Sequence, residues 1–372
     1  MKIKRLVLVF CLTAIAISAS AQYQFTEVLK NPVTSVKDQN HSGTCWCFAT
    51  CSFMESELLR MGKGEYDLSE MFVVRNNYVE RIQDDFLRRG NGNIGPGSIC
   101  HMAFKVYAKY GMMPESAYNG INYDAKGHDH KELSGYLTTL VKEGIKLGKR
   151  SPEYFELQKY VLDTYLGEIP DTFEYNGKEY TAKSFANMLG LNPDDYVEIC
   201  SVTHHPFYQK VPVEIYDNWD HEKQYNLPLD EFMEVIDNAL KTGYTVDWDG
   251  DVMEAGYQFK EHFSIIPADT KLTKSDLKDL KEPIEEMIVT QNLRQEWIET
   301  FKTEDQHLEH IVGISKDQNG NKYYITKNSW NTDINGDGYH NMSVSYVRGK
   351  TMGIMVHKNA IPKKLRKKLD IK

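Results

Sequence analysis

"QNHSGTCWCFATC", residues 39–51, places three cysteines within seven positions, at Cys45, Cys47 and Cys51. Beyond it, Trp46, Phe48, Phe53, Met54, Leu58 and Leu59 keep helical spacing until Gly62 and Gly64 stop the run. The spacing predicts a helix that starts at Cys45, straight after the tight "SGT". The cysteines could grip a metal, pair, run redox chemistry or supply one nucleophile, and each use needs different company. Zinc lacks a second pair, because Cys100 and Cys200 stand alone. No C-x-x-C is present for thiol exchange. Cys47 and Cys51, four apart on one helix, are poorly placed for a mutual disulfide and are expected as buried thiols. Cys45 differs, since the free N–H groups and partial positive charge of a helix start favour a thiolate.

A nucleophilic cysteine needs a base, a group that orients the base, and an oxyanion site. "HLEHIVGISKD", "DQNGN" and "KYYITKNSW" read as strand, turn and strand, so His307 and Asn328 can meet across a hairpin. Gln39 precedes Cys45 by six residues and can aim its amide at the same place. His310 is the rival base; residues three apart on a strand face opposite ways, so only one of the two can serve. His204 and His205 read as surface histidines. "DINGDGYHNMSV" matches part of a calcium loop at Asp333, Asn335, Asp337 and Gly338, but its twelfth position is Val344 and a hairpin turn fits better. No metal site is expected.

The 372-residue chain carries a formal charge of −9, which disfavours nucleic-acid binding. Lys2, Lys4 and Arg5, the apolar run after them and "ASA" at 19–21 form a secretory signal peptide. Residues 22–372 are then exported, to the periplasm or medium, with no stable membrane insertion, because no later stretch is long and apolar enough to span. The odd number of remaining cysteines, at 45, 47, 51, 100 and 200, leaves at least one thiol free or paired between molecules. The pattern of periods predicts an α+β protein. A helical lobe is expected over about 36–120, a mostly helical insertion over about 121–245 and an antiparallel, barrel-like sheet lobe over about 246–372. Within the last, "GYHNMSVSYV" and "MGIMVHK" read as strands, and "KKLRKKLDIK" as a short helix.

"QNHSGTCWCF", "HLEHIVGI" with Gly313 six residues past His307, and "KNSW" at Lys327–Trp330 resemble the active-site segments of papain-fold cysteine peptidases. "LSE" at 68–70 and "KYG" at 109–111 sit where that family has them. Ser42 stands in place of the extra cysteine of papain-type enzymes. With "YNLPLDEFMEVIDNALKTGYTVDWDGDV" and "VHKNAIPKKLRKKL", this is closer to the bleomycin hydrolase/aminopeptidase C branch. The resemblance implies a two-lobed fold and a peptidase, an aminopeptidase by its branch, acting on peptides without a cofactor. It makes Cys45 the nucleophile, His307 its ion-pair partner and acid, Asn328 the orienter of the imidazole, and Gln39 the oxyanion donor. Trp330 shields the His–Asn bond, and Gly97-Ser98 matches a glycine pair that binds substrate backbone. Closed hexamers also occur in the branch, so a homo-oligomer is an expectation here.

Three departures stand out. Ser98 replaces a glycine, and Asn331 follows "NSW" where the family usually has glycine. The branch restricts cleavage to N-terminal residues with a C-terminal arm that enters the cleft, and here that arm is expected to be short. An endopeptidase with an open cleft and a catalytically silent peptide-binding protein are the alternatives these departures leave.

Overall fold

The computed structural model describes residues 23–123 and 125–372; the signal peptide expected at 1–21 lies outside the described residues. The chain opens on strand β1 (Phe25–Lys30) and runs into helices α1 (Cys45–Arg60), α2 (Glu70–Leu87) and α3 (His101–Tyr110). Helices α4 (Lys131–Leu147) and α5 (Pro152–Leu166), the hairpin of β2 (Phe173–Tyr175) and β3 (Lys178–Tyr180), and α6 (Ala182–Leu189) follow. Strands β4 (Tyr196–Cys200), β5 (Lys210–Pro212) and β6 (Lys223–Asn226) lead to α7 (Leu229–Lys241) and β7 (Val246–Gly250). Next come β8 (Tyr257–Gln258), β9 (Phe263–Ser264), α8 (Lys274–Lys278) and α9 (Gln291–Glu299). The last part holds β10 (His307–Asp317), β11 (Lys322–Lys327), β12 (Tyr339–Ser343), α10 (Val344–Lys350), β13 (Thr351–His357) and α11 (Lys363–Lys368).

Helix α1 starts where its spacing predicts. It is buried on nearly every side, from Trp46 to Leu58, which marks a central helix rather than a surface one. One side lies on β10 and β7, the other on α2 and α3. Ser69 caps α2 by accepting the Phe72 N–H, and Pro152 opens α5 directly after Ser151, whose side chain makes no capping bond.

The main sheet runs β5-β6-β4-β13-β7-β10-β11-β12-β9-β8, with β1 added on β10. Its pairs are antiparallel except β4–β6 and β9–β12. The β10–β11 hairpin has the expected "DQNGN" turn, in which Asp317 Oδ1 accepts the Asn319 and Asn321 N–H groups.

Two expectations need correction. Residues 196–226 are not helical; β4 pairs with β13 and β6 with β4, so this stretch belongs to the sheet. Strands this short fall below the window in which alternation can be told from a loop. "GYHNMSVSYV" is a strand only to Ser343, whose hydroxyl accepts the Tyr346 N–H and starts α10.

Two cores result. One joins α1 to α6 with Leu308 and Met355 of the sheet, and the other joins the sheet to α7 and α11. The N-terminal end of α1 meets the start of β10 at their boundary. Helix α11 packs away from that point, with Leu365 in the second core and Lys368 paired to Glu231 of α7.

Candidate active site

Cys45 is the first residue of α1, and no side chain caps that end. The turn before it depends on Gly43, which has φ +67°; a β-carbon there would also come within 2.9 Å of Pro96. Trp46 donates its indole N–H to the Pro96 carbonyl at 2.8 Å, so the residue after the cysteine ties down the loop at 91–98.

His307 opens β10 and Asn328 follows β11. His310 is paired with Lys327 in the hairpin, which brings Asn328 beside Glu309 and within reach of His307. His307 Nε2 and Asn328 Oδ1 are 2.8 Å apart. The amide orientation is set from behind, because Asn328 Nδ2 donates to Tyr257 Oη at 3.0 Å and to Glu309 Oε1 at 3.2 Å. With Nδ2 so used, Oδ1 is the acceptor and His307 Nε2 carries the hydrogen. Trp330 stacks on the His307 ring, centroids 4.9 Å apart at 29°. Gln39 accepts the Ser329 hydroxyl on its Oε1 at 2.7 Å, so its N–H2 points the other way.

Sequence reasoning missed the layer beneath. Glu309 is fully buried; it accepts the Tyr257 hydroxyl on Oε1 and faces His340 Nε2 at 2.6 Å on Oε2. His307 Nε2 lies 3.8 Å from Oε1. Burial alone would raise the Glu309 carboxyl, but His340 and His307 outweigh it and hold it below the usual range. The available signal was a glutamate in a strand whose other residues are almost all buried.

The rival histidine lies elsewhere. His310 is fully buried, with Nδ1 on Ser52 Oγ of α1 at 2.8 Å, and burial drives its imidazole well below its ordinary value. Cys47 and Cys51 are buried free thiols, 3.9 Å apart.

Burial works against the helix start at Cys45. Cys45 keeps some solvent contact, yet burial pushes its thiol up to about 12. Backbone hydrogen bonds from Leu308 and Trp46 pull down, while the Asp305 and Asp217 carboxylates push further up. Burial also lowers His307, against Glu309 and Asn328.

Of the glycine–serine pair, Gly97 lies against the Asp217 carboxylate. Ser98 is buried with its hydroxyl unpartnered. Among the described residues, His204, His205 and Glu214 are grouped as metal ligands would be. There Gln295 uses its Oε1 on the Thr203 N–H and turns Nε2 to His204 Nδ1, so His204 carries its hydrogen on Nε2 and donates it to Glu214. That tautomer makes a hydrogen-bonded surface cluster rather than a metal ligand. The "DINGDG" segment is likewise a turn, with Asn335 Oδ1 accepting the Gly338 N–H at 2.8 Å. No helix among the described residues is long and apolar enough to cross a membrane.

The chain is 24% identical to Aminopeptidase W of Lactobacillus delbrueckii subsp. lactis, covering 88% of this chain and 82% of that one. It is 23% identical to Aminopeptidase E of Lactobacillus helveticus, covering 92% and 86%. The crystal structure of PepW from Lactobacillus rhamnosis HN001 superposes with a TM-score of 0.69 at 18% identity, over 93% of this chain and 84% of that one. The papain family cysteine protease model matches residues 21–163. The model of the Peptidase C1-like family matches residues 95–372, so the chain belongs to that family and is a cysteine peptidase of aminopeptidase-like kind.

Proposed function

We propose that this peptidase is an aminopeptidase that works through Cys45, His307 and Asn328, with Gln39 and the Cys45 backbone N–H at the oxyanion. The observation that carries the reading is the His307–Asn328 contact at 2.8 Å, in a tautomer that leaves Nδ1 as the free base. The thiol proton passes to His307 Nδ1 as sulfur bonds to the substrate carbonyl carbon, and the carbonyl oxygen takes the electron pair as an oxyanion. The amide N–H2 of Gln39 and the uncapped start of α1 supply donors for that oxygen. When the carbonyl re-forms, the C–N bond breaks and the leaving amine takes the proton from His307. Water then adds to the thioester by the same route and frees Cys45. Trp330 keeps water off the ring. The leader at 1–21 would deliver the enzyme outside the cytoplasm, and the intact mass of exported protein, starting at Gln22, checks this.

The test uses an epoxide that traps activated thiols, with aminoacyl and N-acetylaminoacyl coumarin amides as substrates. Cys45 should be the labelled residue. Cys45→Ser and His307→Ala should each abolish turnover while the protein still melts cooperatively. A folded, reduced protein whose Cys45 resists labelling sinks the mechanism. Faster cleavage of the acetylated substrate sinks the aminopeptidase reading and leaves an endopeptidase.

A further inference from the structure

Three carboxylates that the mechanism does not use converge beside Cys45. Asp217, from the loop between β5 and β6, is held by Asn93, whose Nδ2 lies 3.4 Å from its Oδ1, and by Arg81, whose Nη2 lies 4.0 Å from the same oxygen. Its other oxygen, Oδ2, presses on Gly97, where even a β-carbon would not fit. Asp305 stands two residues before His307, where burial and then the Asp217 charge raise its carboxyl. Asp249 of β7 is opposite Leu308 and next to the Asp305 carboxyl. Only 2% of Asp249 is exposed, and neither of its oxygens receives a hydrogen bond from any donor among the described residues. A nearly buried acid facing two more carboxylates either keeps its proton, as burial and Asp305 favour, or gives it up when a cation is seated beside the group. Among the described residues, the cation that approaches the group is Arg81, and its ion pair is with Asp217.

In a peptide bound for cleavage, the α-nitrogen of the first residue is two bonds from the carbonyl carbon that sulfur attacks, about 2.5 Å away. A group that binds this nitrogen must therefore sit close to Cys45. Asp217 lies on Gly97, next to the Pro96 carbonyl that takes the Trp46 indole N–H, and Asp305 stands two residues before His307, which puts both at the Cys45 end of α1. We propose that Asp217 and Asp305, backed by Asp249, receive the free α-ammonium group of the substrate, and that Asp217, set against Gly97, closes the cleft to any residue before the first. This rests on the aminopeptidase reading and explains how N-terminal selection is achieved by an internal loop. A neutral, blocked or longer N-terminus would bury these carboxylates without a partner and would collide with Asp217. Binding of the ammonium also offsets the negative field on Cys45, so the correct substrate favours the proton transfer to His307 that begins the reaction.

The experiment compares aminoacyl coumarin amides with three counterparts: the N-acetylated compound, the des-amino acyl compound, and a dipeptidyl compound with a free amine. The unmodified full chain should release coumarin directly from only the first, and should take the dipeptidyl compound apart one residue at a time without freeing an intact dipeptide, as mass spectrometry of the products reads. In Asp217→Asn and in Asp305→Asn, kcat/KM for the free amine should fall about 10- to 100-fold, mainly through KM, and the preference over the acetylated compound should collapse. Asp217→Ala should also begin to release the intact dipeptide from the dipeptidyl compound. The proposal is overturned if both asparagine variants keep the wild-type preference while Cys45 still takes the epoxide. It is equally overturned if the unmodified protein cleaves the des-amino compound as well as the aminoacyl one, a result that needs no variant to fold. Preference of the unmodified protein for the acetylated compound would instead bring down the aminopeptidase reading itself.

Discussion

A primary amide can sit either way round, and Glu309 decides the matter for Asn328. Its carboxylate accepts from Asn328 Nδ2 and stands 3.8 Å from His307 Nε2, so it orients the amide and also favours a positive imidazole. Glu309→Gln keeps an oxygen for Tyr257 and Asn328, and His340 can meet the new amide by changing tautomer, since its Nδ1 faces a hydroxyl on Ser264. What is lost is the charge. The imidazolium should then deprotonate earlier, moving the alkaline limb of kcat/KM about one pH unit toward acid, with kcat down about tenfold. A purely structural glutamate would lower stability without moving that limb. A second residue-scale prediction concerns Asp217 in the free enzyme. Anions beside a thiol raise its pKa, so Asp217→Asn should lower that of Cys45 and leave more thiolate at a given pH. Alkylation of Cys45 at pH 8 should quicken about threefold or more. An unchanged rate would mean that Asp217 does not act on the sulfur.

At the scale of elements, strand β10 sorts its histidines by parity. His307 shares a face with Glu309 and turns to Asn328, while His310 shares the other face with Leu308 and turns into α1. His310→Gln should therefore keep turnover within about threefold while costing about 1–3 kcal/mol of stability, because a buried bond to Ser52 is disturbed. Loss of turnover there, with retention in His307→Gln, would reverse the assignment. This sorting was legible in the sequence, since the period of a strand and the distance to Gly313 carry it. So was the start of α1, because Gly43 and the apolar period fix where the turn ends and the helix begins. The layer below was not legible. Tyr257, Glu309 and His340 come from three separate strands, and only the sheet order brings them together. Asp217 was hidden for the same reason, in a stretch whose short strands were read as helix.

For the molecule as a whole, the same burial that shapes the site makes stability depend on pH. Burial pushes Asp247 up to about 8, and Glu115 to about 8 with help from Glu70. Burial alone would lower His101, but Glu198 and Asp220 on its two ring nitrogens hold it up at about 9. Each of these groups binds its proton more tightly folded than unfolded. Their contribution is complete below the unfolded pKa and is lost as pH rises through the folded value, so between pH 7 and pH 8 all three weaken the fold. His130, lowered to about 4 by burial, has the opposite sign, but its effect is nearly complete above its unfolded value of 6.5. Lys327, lowered by burial to about 8, begins to oppose only at the upper edge of the window. The melting temperature should accordingly fall by about 3 °C or more from pH 7 to pH 8 at constant ionic strength. Asp220→Asn removes one of the two acids that hold the His101 proton, so it should flatten the slope while lowering the starting value. A melting temperature that rises over this interval would mean that the buried carboxyls are ionised in the folded state at neutral pH, with cations or water around them that these contacts do not provide.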